Sequence, residues 1–300
     1  MSDHAEEFTA LRPLLFTIAY QILGSASESD DVLQDSYLRW AEVDRAQVRD
    51  VKAYLSTLVT RQALNALRAS ARRREQYVGP WLPEPLLLNE QDPAVDVVLA
   101  DSVSMAMMVV LETLSPDERA VFVLREVFGF DYDEIAAAVG KSTAAARQLA
   151  HRARSHVQAR RPRFAPVDPQ ESARVTAEFM TAAAGGDIAT VLSMLAPDVA
   201  WTADGGGKAS AARRPIVGAD KVAHTVIGLL RKGTQLPDVR LEMSVCNSAP
   251  AVLLYSADRL EGVFTFEIVD GLITNLYAMR NPDKLTAVKA AREISRGADV

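Results

Sequence analysis

The sequence predicts a multidomain fold, two all-α helical domains followed by an α+β domain, and three observations carry that reading. A chain of 300 residues is longer than one ordinary core requires. Apolar residues recur at helix spacing up to about residue 160, whereas strand-like runs appear only past residue 169. Prolines cluster between these regions, at 80–93 and at 162–169, where no continuous helix survives. The expected division is a first helical domain over 1–76, a linker over 77–100, a second helical domain over 101–163 and the α+β domain over 168–295.

Each element follows from local chemistry. Leu11, Leu15, Ile18 and Ile22 share a helix face, and Gly24 stops the run. Ser29 is expected to cap the next helix, with Asp30 and Asp31 at its positive dipole end and Leu33, Tyr37 and Trp40 along one side. A third helix over 51–74 buries Leu55, Leu58, Val59 and Leu67. The linker mixes prolines with Trp81, Leu82 and the leucines at 86–88. It is either an extended connector docked on another surface or a small satellite core.

Ser115, Pro116, Asp117 and Glu118 open a helix that Gly129 closes. Asp131 or Asp133 starts a short helix, Gly140 makes a turn, and Ser142 caps a helix to about Arg160. Beyond residue 169, helices over 172–184, 188–195 and 221–230 accompany strands over 199–202, 239–245, 251–255, 262–269 and 272–278. That order predicts a curved antiparallel sheet.

Charge separates the functions. The net charge is −6, yet residues 49–74 hold seven basic residues and one acid, and residues 141–163 hold seven basic residues and no acid. Two basic stretches in an acidic chain point to two contacts with nucleic acid. The single cysteine, Cys246, excludes an internal disulfide, the N-terminus lacks a signal-peptide pattern, and no apolar run approaches membrane length. The expectation is a cytoplasmic protein without membrane contact.

Residues 130–157 read as a helix-turn-helix, with Gly140 at the turn and Ile135, Val139 and Leu149 in its core. Ser142 and Thr143 are small enough to enter a major groove. Arg147 and Gln148 suit base edges, while Lys141, Arg152 and Arg154 suit phosphates. On the third helix, Arg61, Asn65, Arg68 and Arg72 fall at i, i+4, i+7 and i+11, one basic face able to track a strand.

Residues 8–161 resemble an extracytoplasmic-function sigma factor. The string from Asp30 to Trp40 is similar to the σ2 segment of that family, 53–74 to its helix for the −10 element, and 114–154 to σ4. The resemblance implies that Asp31, Gln34, Asp35 and Leu38 bind core RNA polymerase. It also implies that the two basic surfaces meet the −10 and −35 elements of promoter DNA. Family members often carry Asp where this chain has Asn65.

Trp81-Leu82-Pro83-Glu84-Pro85, Asp204-Gly205-Gly206-Gly207-Lys208 and Asn281-Pro282-Asp283-Lys284-Leu285 resemble those of actinobacterial members with a fused, cone-shaped SnoaL-like domain. That implies regulation in cis, through contacts of Trp81, Pro83, Asp204, Gly206, Lys208, Asn281, Asp283 and Lys284. No catalysis, metal or cofactor is expected. The alternative is a helix-turn-helix regulator fused to a cyclase- or isomerase-type or ligand-binding domain, with Asp198, Asp204, His224 or Asp258 as acid or base. A small-molecule ligand of the last domain stays open.

Overall fold

The computed structural model describes residues 3–88, 96–160, 168–233 and 237–297, with the side chains of 71–73 excluded. The first unit comprises α1 (Asp3–Leu23), α2 (Ala26–Ala41) and α3 (Val51–Glu75). Gly24, at φ +71°, breaks the chain after α1. The expected cap at Ser29 is one turn too late. Ser25 caps α2 by accepting from the Glu28 N–H at 3.1 Å, and Ser29 lies buried inside the helix, donating to the Ser25 carbonyl. The first hydroxyl after the glycine break meets the orphan N–H groups before any later one can.

The second helical unit holds α4 (Val97–Val103), α5 (Met105–Leu111), α6 (Pro116–Phe122), α7 (Tyr132–Val139) and α8 (Thr143–Arg160), with a π-turn over Val123–Val127 after α6. Ser115 and Glu118 form a full capping box on α6. Asp131 rather than Asp133 opens α7, and Gly140 turns the chain at φ +69°. The two helical units share one apolar core. Leu15, Ile22 and Leu64 of the first join Leu99, Leu111 and Val121 of the second, with Leu86 and Leu88 of the linker between them.

The last unit runs α9 (Pro169–Gly185), α10 (Ile188–Ser193), β1 (Leu195–Asp204), β2 (Ile216–Val217), α11 (Ala219–Gly233), β3 (Val239–Cys246), β4 (Ala249–Ser256), β5 (Arg259–Val269), β6 (Leu272–Met279) and α12 (Pro282–Leu285). The sheet order is β2-β1-β6-β5-β4-β3. It is mixed, not wholly antiparallel as expected: β1 pairs parallel to β6, because α11 and the β3–β5 meander carry the chain across before β6 returns.

One sheet face packs Val252, Phe266 and Leu276 against Phe179 and Val226 of α9 and α11. The other packs Leu253, Val263 and Met279 against Leu82 of the linker and Met105 of α5. The linker is therefore a docked connector whose leucines serve two cores. Among the described residues no helix is long and apolar enough to cross a membrane.

Candidate nucleic-acid interface

The basic face of α3 turns toward the second helical unit. Arg61 donates to the Ala137 carbonyl of α7 at 2.7 Å, and Arg68 donates to the Asp117 carboxylate at 2.5 Å. The other oxygen of Asp117 takes Lys141 at 3.1 Å. Burial pushes the Asp117 carboxyl upward, but the hydrogen bonds from Arg68 and Lys141 outweigh it and hold the group below its ordinary range. Asn65 is exposed on this face, and the side chain of Arg72 lies outside the described residues.

On the helix-turn-helix, Arg147 stacks on Tyr132, Arg152 pairs with Glu118 at 3.3 Å, and Arg154 pairs with Glu126 at 2.5 Å. Thr143 donates to Asp133, Ser142 caps α8 by accepting from Ala145, and Gln148 is exposed. Asp31, Gln34, Asp35 and Leu38 form an open strip on α2, Leu38 being 57% exposed.

The three strings singled out in the sequence meet at one buried junction. Asp204, 0% exposed, ends β1. One oxygen accepts from the Tyr77 hydroxyl at 2.5 Å and the Gly206 N–H at 3.0 Å; the other accepts from the Leu82 N–H at 2.9 Å and the Lys284 ammonium at 2.8 Å. Lys284 also donates to the Leu82 carbonyl and sits 3.3 Å from the centre of the Trp81 ring. Asn281 caps α12 and donates to Tyr77 at 2.7 Å.

Pro83 is buried beside this junction, and Lys208 bridges to Asp283 on its exposed rim at 2.5 Å. Gly206 is required, since a Cβ there would stand 2.4 Å from the Asn281 amide. Burial and the adjacent Asp204 push the Tyr77 hydroxyl up, and burial lowers the Lys284 ammonium despite its partner.

Two stretches match known family models: residues 8–73 match Sigma-70 region 2, and residues 104–157 match Sigma-70, region 4. The chain is 40% identical over 291 residues to the ECF RNA polymerase sigma factor SigJ of Mycobacterium tuberculosis, covering 93% of this chain and 92% of that one. It belongs to the extracytoplasmic-function sigma factors. The probable sigma factor SigI of the same species is 33% identical over 297 residues, covering 97% and 98%. The crystal structure of M. tuberculosis SigJ superposes with a TM-score of 0.75 at 34% identity, covering 94% of this chain and 98% of that one.

In this sigma factor, several couplings have no signature in the sequence. Asn247, 0% exposed in the β3–β4 turn, donates to the Tyr20 hydroxyl and the Val103 carbonyl, each at 2.8 Å. It also accepts from the Leu86 N–H at 2.9 Å, while its own N–H donates to the Leu86 carbonyl. One amide thus joins α1, α4, the linker and the sheet. Glu84 takes Ser25 and Ser27 at the N-terminus of α2, a favourable place for a carboxylate.

Arg119, 1% exposed, donates to the Gln21 carbonyl at the end of α1 and to Glu112, which also holds Arg74. After α12 the chain returns to the helices. Ile294 is buried in their core, Arg292 pairs with Asp30 at 2.7 Å, and Ser295 bonds Thr17. In the sequence only an asparagine in the turn between two strand-like runs hints at Asn247.

The candidates for acid–base work do not assemble. Asp198, His224 and Asp258 are exposed on separate elements, and Asp204 faces the linker rather than the interior of the domain. The glycine-rich loop closes on itself: the Gly206 N–H donates to the Asp204 carboxylate, and the Lys208 and Ala209 N–H groups donate to the Gly205 carbonyl.

Proposed function

We propose that this sigma factor directs core RNA polymerase in the cytoplasm to promoter DNA and initiation, and that its α+β domain restrains it in cis. The observation that carries the reading is the unequal use of its surfaces. The cations assigned to DNA are satisfied within the chain, with Asp117 standing where a phosphate oxygen would be, while the strip assigned to polymerase is open. On this reading Arg61, Asn65, Arg68 and Arg72 serve the −10 element. Lys141, Ser142, Thr143, Arg147, Gln148, Arg152 and Arg154 serve the −35 element. Asp31, Gln34, Asp35 and Leu38 grip the polymerase. The chain itself breaks and forms no covalent bond.

In this closed arrangement polymerase docks first, on α2, and the energy of docking separates α3 from α7. The Asp204 junction and Asn247 set how much energy that takes. Transcription in vitro with core polymerase tests the reading, comparing the full chain with truncations before Asn281 and before Pro169 and with Trp81→Ala. Altered transcript yield and altered core affinity are expected. Equal values for all four proteins in both assays would exclude cis regulation.

Asp117→Asn is expected to free Arg68 and Lys141. The free chain then binds duplex DNA more tightly at low salt, and its salt slope steepens by roughly one to two units. Because the folded-state pKa of Asp117 lies below its ordinary value, the native pairing is intact above about pH 4 and is lost as pH falls through the folded value. Binding titrations against salt concentration check both signs; an unchanged slope counts against the masking role.

Arg147→Ala and Arg152→Ala are expected to differ. The first relaxes preference at one base pair, by about 1–3 kcal/mol, and the second weakens all sequences alike. A promoter library bound by each holoenzyme distinguishes them, and identical profiles would undo the division of roles.

A further inference from the structure

A cleft of about 740 Å³ lies between the second helical unit and the sheet, bordering the face against which Met105 of α5 packs. Val97, Met105, Phe122 and Val157 wall one side, and Pro250 and Ile268 the other. Volumes of this size and lining are typical of small-molecule sites.

Two hydroxyls set it apart from an ordinary packing gap. Thr265, 2% exposed in the middle of β5 between Ala251 and Tyr277, lines the cleft, and its Oγ1 has no partner among the described residues. Ser248, a half-buried residue, lines the same cleft, and its hydroxyl oxygen is likewise hidden from solvent and without a partner among the described residues. Buried hydroxyls normally have partners. Among the described residues that line it, Asp101, Glu126, Asp168 and Glu267 stand against a single cation, Arg154, already paired with Glu126. That charge disfavours anions.

We propose that this cleft binds a neutral, largely apolar small molecule carrying at least one hydrogen-bond acceptor, which takes the Thr265 and Ser248 hydroxyls. Its walls come from two units, so the site is complete only while they stay together. A molecule bound there stabilises the closed chain, a consequence that rests on the closed arrangement being the restrained one.

The test uses the full chain and Nile red, a neutral apolar dye with a carbonyl acceptor. Wild type is expected to bind one dye per chain, saturably and with a blue-shifted emission. Ala100→Trp, which projects into the cleft, is expected to weaken binding about tenfold or more, and Thr265→Val about threefold. Leu229→Trp on α11, away from the cleft, leaves it unchanged. An anionic naphthalenesulfonate dye is expected to bind about tenfold more weakly than Nile red. Val98→Phe at the mouth repeats the test if Ala100→Trp loses its helical circular dichroism.

Unsaturable binding, or equal binding by wild type and both filled variants, overturns the site. Equal binding of the anionic dye overturns its charge preference. Core-polymerase transcription is run on the same proteins: saturable binding without transcription would retain the site and remove the promoter reading, and the converse would do the opposite.

Discussion

Asp204→Ala is expected to cost the chain about 3–5 kcal/mol, because it strands the buried Lys284 ammonium without its counter-charge. It also removes the acceptor for the Tyr77 hydroxyl and for the Leu82 N–H, so the linker loses its hold on β1. Loss is expected first at the junction and not in the helical core. Limited proteolysis should cut within 77–88 much faster than in wild type, while the shared helical core still protects α1 and α3. The paired variant Asp204→Leu with Lys284→Met removes both charges and is expected to recover a large part of the loss. Urea denaturation of the single and double variants, followed with the proteolysis rate, gives the coupling. A double variant as unstable as the sum of the singles would show that the two charges do not act as a pair.

Asn247→Asp is expected to have a comparable effect by a different route. The amide donates to the Tyr20 hydroxyl oxygen and the Val103 carbonyl, so a carboxylate would set an acceptor against the Val103 oxygen in a site with no solvent exposure. Asn247→Ala leaves those groups and the Leu86 N–H unpaired and forces alanine into φ +54°, a combined cost of about 2–4 kcal/mol. Asn247→Gly removes the side chain without the strain and separates the two causes. Thermal unfolding orders the variants, with Asp lowest, then Ala, then Gly. Because Asn247 bridges α1 and α4 to the sheet, all three are also expected to raise DNA binding by the free chain. Wild-type stability in Asn247→Asp would mean that the turn does not couple the units.

Much of the fold was legible because it rests on periodic or local chemistry. The Leu11–Ile22 face, the Ser115–Glu118 cap, the Gly140 turn and the β3–β6 runs each declare themselves within a few residues. The cap of α2 was misplaced because three serines compete within five residues, and the break at Gly24 decides among them. The parallel pairing of β1 with β6 joins residues some seventy positions apart and leaves no local mark. The basic runs of α3 and α8 were legible, but their pairing with Asp117, Ala137, Glu118 and Glu126 was not.

Sequence alone determined the helical and α+β units, the two basic runs, the acidic segment of α2 and the three strings that carry the junction, since each depends on neighbours along the chain. Only the tertiary structure decided that those strings converge on Asp204, that Asn247 and Arg119 tie distant helices, and that Arg61 and Arg68 of α3 bond to α7 and α6. The physical reason is that a buried polar group must find its partner wherever the fold brings one. A single asparagine or arginine carries no periodicity that names that partner in advance.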